Sequence, residues 1–129
     1  MRAAKAGAAP VVAADIDPLA EAAIALNAAA NSVYVDSVIA DLLDRADPIG
    51  PRYDVILVGD LFYECDLAAR TLAFLRRHAA LGTRVLIGDP GRAYLPRERL
   101  TWHCEYTVPV TRELEDQEIK RTAVWSLAA

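Results

Sequence analysis

Four aspartates, Asp15, Asp41, Asp60 and Asp89, each close a run of apolar residues, in VVAAD, SVYVDSVIAD, YDVILVGD and TRVLIGD. If these runs are parallel strands, the acids lie at their carboxyl ends, where open α/β sheets bind ligands. A carboxylate there can accept two hydrogen bonds at once from hydroxyls or amines. An ordinary role competes at each position. Asp15 and Asp17 stand at a strand-to-helix junction, where aspartate is often only a helix cap. Asp41 and Asp89 also suit turns, Asp89 above all because Pro90-Gly91 follows it. Asp60 is different: GDLFYECD crowds an acid, two aromatics and further acids into a position that loop chemistry would fill with Gly, Asn or Ser. Within that stretch Phe62 is the candidate core residue.

The elements that must position these acids follow from spacing. MRAAKAGAAP reads as the last turns of a helix: a basic residue, a glycine stop, then Pro10. PVVAAD is a short buried strand. Asp17 then caps a helix with Pro18 at its first position, where the missing amide donor costs nothing. Leu19, Ala22, Ala23, Leu26 and Ala30 recur at helical spacing and carry that helix to about Ala30, with its end near Asn31. Ser32 to Ala40 is Val- and Ile-rich, a strand whose limits are blurred by alternating polar residues, and Asp44 to Pro51 is turn-rich. YDVILVGD and TRVLIGD have the continuous apolar character of strands buried on both faces. A helix from about Asp66 to Leu81 separates them and stops at Gly82. WHCEYTVPV and RTAVWSL, on either side of the charged RELEDQEIK, read as two strands of a long hairpin. The pattern is an α/β, doubly wound, mostly parallel, Rossmann-like sheet with an antiparallel terminal hairpin, in one domain over 1–129.

Composition narrows the partners. Fourteen Lys plus Arg against eighteen Asp plus Glu give a net charge of −4. With no basic run of five, phosphate-backbone binding lacks electrostatic support, so nucleic acid is not expected. Cys65, Cys104, His78 and His103 form no metal-ligand spacing, so no metal is expected either. No secretory leader and no apolar run near the ~18 residues of a membrane span occur, which reads as a cytoplasmic protein in a reducing compartment.

The same residues carry a resemblance. DIDP after one strand, ADLLD after the next, YDVILVGDLFYE after the third and RVLIGDPGR after the fourth resemble, in that order, the seven-strand S-adenosylmethionine-dependent methyltransferases. Asp-x-x-Tyr after the third strand is similar to the mark of their protein-lysine branch. GDLFYECDLA with RVLIGDPGR looks closer still to the electron transfer flavoprotein beta-subunit lysine methyltransferases, a likeness that runs through TAVWSL near the chain's end. Where amino methylation of nucleobases or glutamine goes with Pro-Pro, this chain has Leu61-Phe62.

The resemblance implies S-adenosylmethionine as cofactor and a protein lysine as acceptor, with the electron transfer flavoprotein beta subunit as candidate partner. It implies that Asp15, with Ile16, holds the ribose; that Asp41, with Leu42, faces the adenine; and that Gly59 borders the cofactor. Asp60 and Tyr63 are then the catalytic residues, facing the methyl group and the incoming amine. Phe62 and Tyr63 flank the amine, and Asp89 and Arg92 shape the substrate side, Arg92 as a partner for an acid on the target protein. It also implies the strand order 3-2-1-4-5-7-6 and a glycine-rich loop after strand one. Only fourteen residues precede Asp15, against the ~20 between such a loop and its acid, so strand one and its loop are expected to be missing from an N-terminally incomplete domain. Two other readings stay open: a non-catalytic remnant of that fold, and a nucleotide-binding oxidoreductase, in which GDLFY and GDPGR have no role.

Overall fold

A computed structural model describes residues 1–45, 52–109 and 119–128. The chain divides into two compact units, Met1–Arg45 and Ala46–Ala129, each with its own sheet.

The first unit contains α1 (Arg2–Lys5), β1 (Val12–Asp15), α2 (Pro18–Ala30) and β2 (Asp36–Ile39), with β1 and β2 parallel. Asp17 caps α2 as expected, its Oδ1 accepting from the amide of Leu19 at 2.9 Å, with Pro18 next. Beyond α2, Ser32 N–H donates to Ala29 O and Val33 N–H to Ala28 O, the paired bonds of a Schellman stop. That stop puts Ser32 at φ 53°, in the left-handed region, where α1 and α3 place Gly7 and Gly82. The turn consumes the start of the expected Ser32–Ala40 strand, so β2 begins only at Asp36. The apolar stripe expected on α2 is largely uncovered: only Ala28 is buried, because two four-residue strands offer too little surface to cover Leu19 and Leu26.

The second unit contains β3 (Val55–Gly59), α3 (Cys65–Ala80), β4 (Arg84–Asp89), a 3-10 turn (Arg97–Arg99), β5 (Leu100–Pro109) and β6 (Ile119–Leu127). Its sheet runs β3-β4-β6-β5, with β3 and β4 parallel and β6 antiparallel to both β4 and β5. The expected hairpin strands therefore pair, although Ile119 and Lys120 belong to β6. Residues 112–118 of the charged connection and 46–51 of the turn-rich stretch lie outside the described residues. Ala68, Thr71, Leu75 and Ala79 recur every three or four residues on α3 and are its buried face. The core joins Ala68, Leu75 and Ala79 to Val85 and Ile87 of β4, Leu127 of β6, and Phe62 and Leu95 from loops. At roughly 1.5–3 kcal/mol for each fully buried large side chain, this is where the unit's stability resides.

One expectation about strands is corrected. The apolar run of β3 predicts burial on both faces, yet Ile56 and Val58 pack on the core while Leu57 is 62% exposed, because α3 covers one face only. The described strands form two sheets. In the order 3-2-1-4-5-7-6, the runs 3-2 and 4-5-7-6 correspond to β2-β1 and β3-β4-β6-β5.

Candidate functional site

Asp60 follows β3 with its backbone turned out of the strand, at φ 53°, a conformation most residues avoid. Its amide donates to Gly88 O at 3.0 Å, so the turn is pinned to the neighbouring strand. The side chain meets Arg92 in a fork: Nε donates to Oδ1 at 2.7 Å and Nη2 to Oδ2 at 2.8 Å. Such bidentate pairs fix orientation as well as charge. The hydrogen bonds from Arg92 hold the Asp60 carboxyl below its usual range against the upward pull of partial burial, helped by the charges of Arg92 and Lys120. Asp60 is therefore a fixed anion near neutral pH.

Arg92 is held in turn by Asp89. The alternating burial of β4 turns Val85, Ile87 and Asp89 to the core face, which leaves the acid only 1% exposed. Asp89 Oδ1 accepts from the amides of Gly91 and Arg92, both at 2.7 Å, and Gly91 takes φ 98°, open to glycine at little cost. GDPGR is thus one device: a buried acid folds the loop and the loop delivers an arginine to Asp60. The turn role weighed for Asp89 is seen directly. Arg92 serves a carboxylate of its own chain, Asp60.

The two aromatics of GDLFY part company. Phe62 is 0% exposed in the core, so its ring flanks nothing outside the fold, correcting the expectation that it borders the amine. Tyr63, adjacent in the chain, is 57% exposed. A buried Phe62 anchors the loop while the next side chain projects from it. Glu64, which sequence reasoning passed over, caps α3 by accepting from the amides of Asp66 and Leu67. Gly59 ends β3 opposite Gly88, and a Cβ there would meet nothing within 4 Å, so packing does not demand its glycine.

In the first unit, Asp15 ends β1 level with Ile39 of β2, and Asp41 follows two residues later, so both acids stand at the carboxyl edge of that sheet. Asp15 Oδ1 accepts from the amide of Asp17 at 2.9 Å, and Asp41 Oδ1 from the amide of Leu43 at 3.0 Å. Ile16 is 72% exposed and Leu42 half-buried. Asp15 is exposed, so a carboxylate that spends Oδ1 on its own turn still faces solvent, and the exposed Ile16 beside it suits the face of a sugar or base. Sequence spacing had no means to find the Asp60–Arg92 pair, 32 positions apart. Among the described residues, no three His, Cys, Asp or Glu side chains cluster as a metal site would require.

No family model matches the chain. It is 37% identical over 125 residues to the electron transfer flavoprotein beta subunit lysine methyltransferase of Mus musculus, covering 92% of this chain and 48% of that protein. The Xenopus laevis enzyme of the same name is 36% identical over 126 residues, covering 93% and 50%. The chain thus spans about half the length of the curated relatives it matches. Among solved structures, an N-methyltransferase from Bradyrhizobium japonicum in complex with S-adenosyl-l-homocysteine matches with TM-score 0.54 at 15% identity, over 92% of this chain and 66% of that one. A ribosomal protein L11 methylase from Lactobacillus delbrueckii matches with TM-score 0.54 at 19% identity, over 97% and 61%. These likenesses establish the methyltransferase fold.

Proposed function

We propose that this chain, a homologue of the electron transfer flavoprotein beta subunit lysine methyltransferases over 92% of its length, serves S-adenosylmethionine-dependent methylation of a protein lysine. The observation that carries the reading is the Asp60 carboxylate, held as an oriented anion by Arg92 at a strand end beside exposed Tyr63.

When bound, S-adenosylmethionine supplies an electrophilic methyl carbon on sulfonium. In the first unit, Asp15 with Ile16 would hold the ribose, and Asp41 with Leu42 would meet the adenine; in the second, Gly59 would leave room for a ligand. The residues around Asp60 handle the amine. In-line displacement needs the lysine nitrogen within about 3–3.5 Å of that carbon, with its lone pair aimed at it. A lysine ammonium of pKa near 10.4 must first lose a proton. Asp60 is a poor base for that step, because Arg92 lowers its proton affinity. It acts as an acceptor: each oxygen takes one Arg92 N–H and has capacity left for an amine N–H, so the amine is oriented and the proton leaves to water. The exposed ring of Tyr63 borders the amine, where a ring face near a cation contributes on the order of 1–2 kcal/mol.

The candidate acceptor is the electron transfer flavoprotein beta subunit named in the relatives. A net charge of −4 and Leu61-Phe62 in the motif favour a protein over a nucleic acid. The free thiols Cys65 and Cys104 suit the reducing cytoplasm. Mass spectrometry of that beta subunit after incubation with the protein and methyl-labelled S-adenosylmethionine tests the reading. With the protein in full-length form, lysine methylation that Asp60→Asn lowers at least tenfold is the expected result; label on no lysine, or undiminished label with Asp60→Asn, overturns it.

A further inference from the structure

The two loops that meet at the Asp60–Arg92 pair are built alike. Phe62 on one and Leu95 on the other are buried in the core of the second unit. Their chain neighbours, Tyr63 and Tyr94, are 57% and 48% exposed. Each loop is thus anchored by a core residue and presents a tyrosine beside it. The loops are also tied together twice. Arg92 forks onto Asp60, and the amide of Tyr94 donates to the carbonyl of Phe62 at 3.3 Å. That carbonyl belongs to the peptide unit joining Phe62 to Tyr63, so standard bond lengths bring the Cα atoms of Tyr63 and Tyr94 within about 8 Å of each other. Tyr63 follows Asp60 closely in the chain, and Tyr94 follows Arg92 as closely. Among the described residues, no ring contact or side-chain hydrogen bond occupies either tyrosine.

We propose that Tyr94 is a substrate-binding residue, the second aromatic wall of the amine site, and that the lysine side chain enters between it and Tyr63 to end on Asp60. The charge balance calls for such a wall. Arg92 matches the charge of Asp60, so the carboxylate still accepts hydrogen bonds but exerts little net attraction on a cation. Ring faces attract an ammonium without carrying a charge themselves. Phe62, the other aromatic of GDLFY, is buried and gives no such face. Tyr94, bonded to the carbonyl of that same Phe62, brings one from the GDPGR side. An amine on an aliphatic stem suits this set, its stem against the rings and its N–H groups toward Asp60. A phosphate or a carboxylate meets the anion of Asp60 and the negative faces of both rings, and an uncharged apolar chain leaves the acceptors of Asp60 unused. The assignment rests on the protein-lysine reading and deepens it by naming a residue outside both sequence motifs.

The test reads the rings without methyl transfer. Protein labelled with 3-fluorotyrosine gives a ¹⁹F resonance for each of the chain's five tyrosines, and Tyr63→Phe and Tyr94→Phe assign two of them. Titration with Nα-acetyl-lysine N-methylamide should move the Tyr63 and Tyr94 resonances along one saturating curve and leave those of Tyr34, Tyr53 and Tyr106 nearly still. The norleucine analogue, which lacks the ammonium, should move neither. Tyr94→Leu should weaken probe binding, read at Tyr63, by about fivefold, while Tyr94→Phe keeps the ring and should bind as the unmutated protein does. Unshifted resonances of the other three tyrosines report that each variant is folded; if Tyr94→Leu is not, the titration of the unmutated protein decides. A Tyr94 resonance that stays still while that of Tyr63 moves overturns the proposal and leaves the lysine reading standing. Undiminished binding in folded Tyr94→Leu, or an equal response to the norleucine analogue, overturns it as well. So does stillness of both rings. Neither cofactor nor turnover enters the readout, so the methyl-label experiment judges the lysine reading separately.

Discussion

Arg92 grips both oxygens of Asp60 at 2.7 and 2.8 Å across 32 positions of sequence, and its own amide is bound to Asp89 at 2.7 Å. Two motifs that are separate in the chain are therefore one mechanical unit, in which a buried acid sets an arginine and the arginine sets the exposed acid.

The pair makes stability depend on pH with a definite sign. Asp60 has a folded pKa below its unfolded value, so its contribution is present above the unfolded pKa and is lost as pH falls through the folded one. Both side chains are more than a third exposed, so solvent screens the pair and the contribution at neutral pH is about 1 kcal/mol or less. Denaturant titrations should show Arg92→Ala less stable than the unmutated protein at pH 7, with the gap closing as pH falls through the lowered folded pKa of Asp60. A gap that persists at low pH would mean that Arg92 stabilises by packing instead.

Kinetics separate Asp60 from the cofactor. Asp60→Asn keeps the shape but loses the charge, and should lower turnover at least tenfold, about 1.4 kcal/mol of transition-state energy, with S-adenosylmethionine affinity changed no more than a few fold. Single-turnover rates set beside cofactor binding by calorimetry check both halves. Unchanged turnover in a folded variant would remove Asp60 from the reaction.

The alternation of sequence types revealed more of the fold than of the site. Asp17, Pro18 and Asn31 marked α2 correctly because capping chemistry is local. The apolar runs of β3 and β4 identified parallel strands for the same reason. What the runs could not report is which face is covered: Leu57 is as apolar as Ile56, and only the placement of α3 tells them apart. The four strand-end acids were legible as a set, but their division of labour was not. Pro90-Gly91 marked Asp89 for a turn, but only the alternation of β4 shows that this acid is carried inside.

Phe62 and Tyr63 should divide stability from activity. Phe62→Ala opens a cavity in the core and should cost about 3–5 kcal/mol. Tyr63→Ala removes an exposed side chain and should shift stability by under about 0.5 kcal/mol while lowering methyl transfer. Thermal unfolding of both variants, beside their turnover, checks the pairing; equal destabilisation would contradict the burial difference.

Ser32 offers a test on the first unit alone. It holds the left-handed position of a Schellman stop that Gly7 and Gly82 fill at the other two helix ends. A non-glycine residue there costs roughly 1–2 kcal/mol in backbone strain, partly offset by the greater freedom glycine has when unfolded. Ser32→Gly should therefore raise stability by about 0.5–1 kcal/mol and leave activity unchanged. A drop in the unfolding midpoint would show that the serine hydroxyl stabilises the turn.

Asp15 and Asp17 are two residues apart at one junction and should fail in different ways. Asp17 caps α2 through Leu19, and replacing such a cap by alanine costs about 1 kcal/mol of stability, with little effect on ligand affinity. Asp15 spends Oδ1 on the Asp17 amide, so Asp15→Ala also costs some stability. Its larger effect follows from the proposed ribose contact: two hydroxyls lose a charged acceptor, worth roughly 1.5–3 kcal/mol, and S-adenosylmethionine affinity falls more than tenfold. Calorimetric titration and thermal unfolding of the two variants separate these outcomes. Weaker cofactor binding in Asp17→Ala with Asp15→Ala unaffected would exchange the two roles: Asp17 would be the ligand's acid, and Asp15 a brace for the turn.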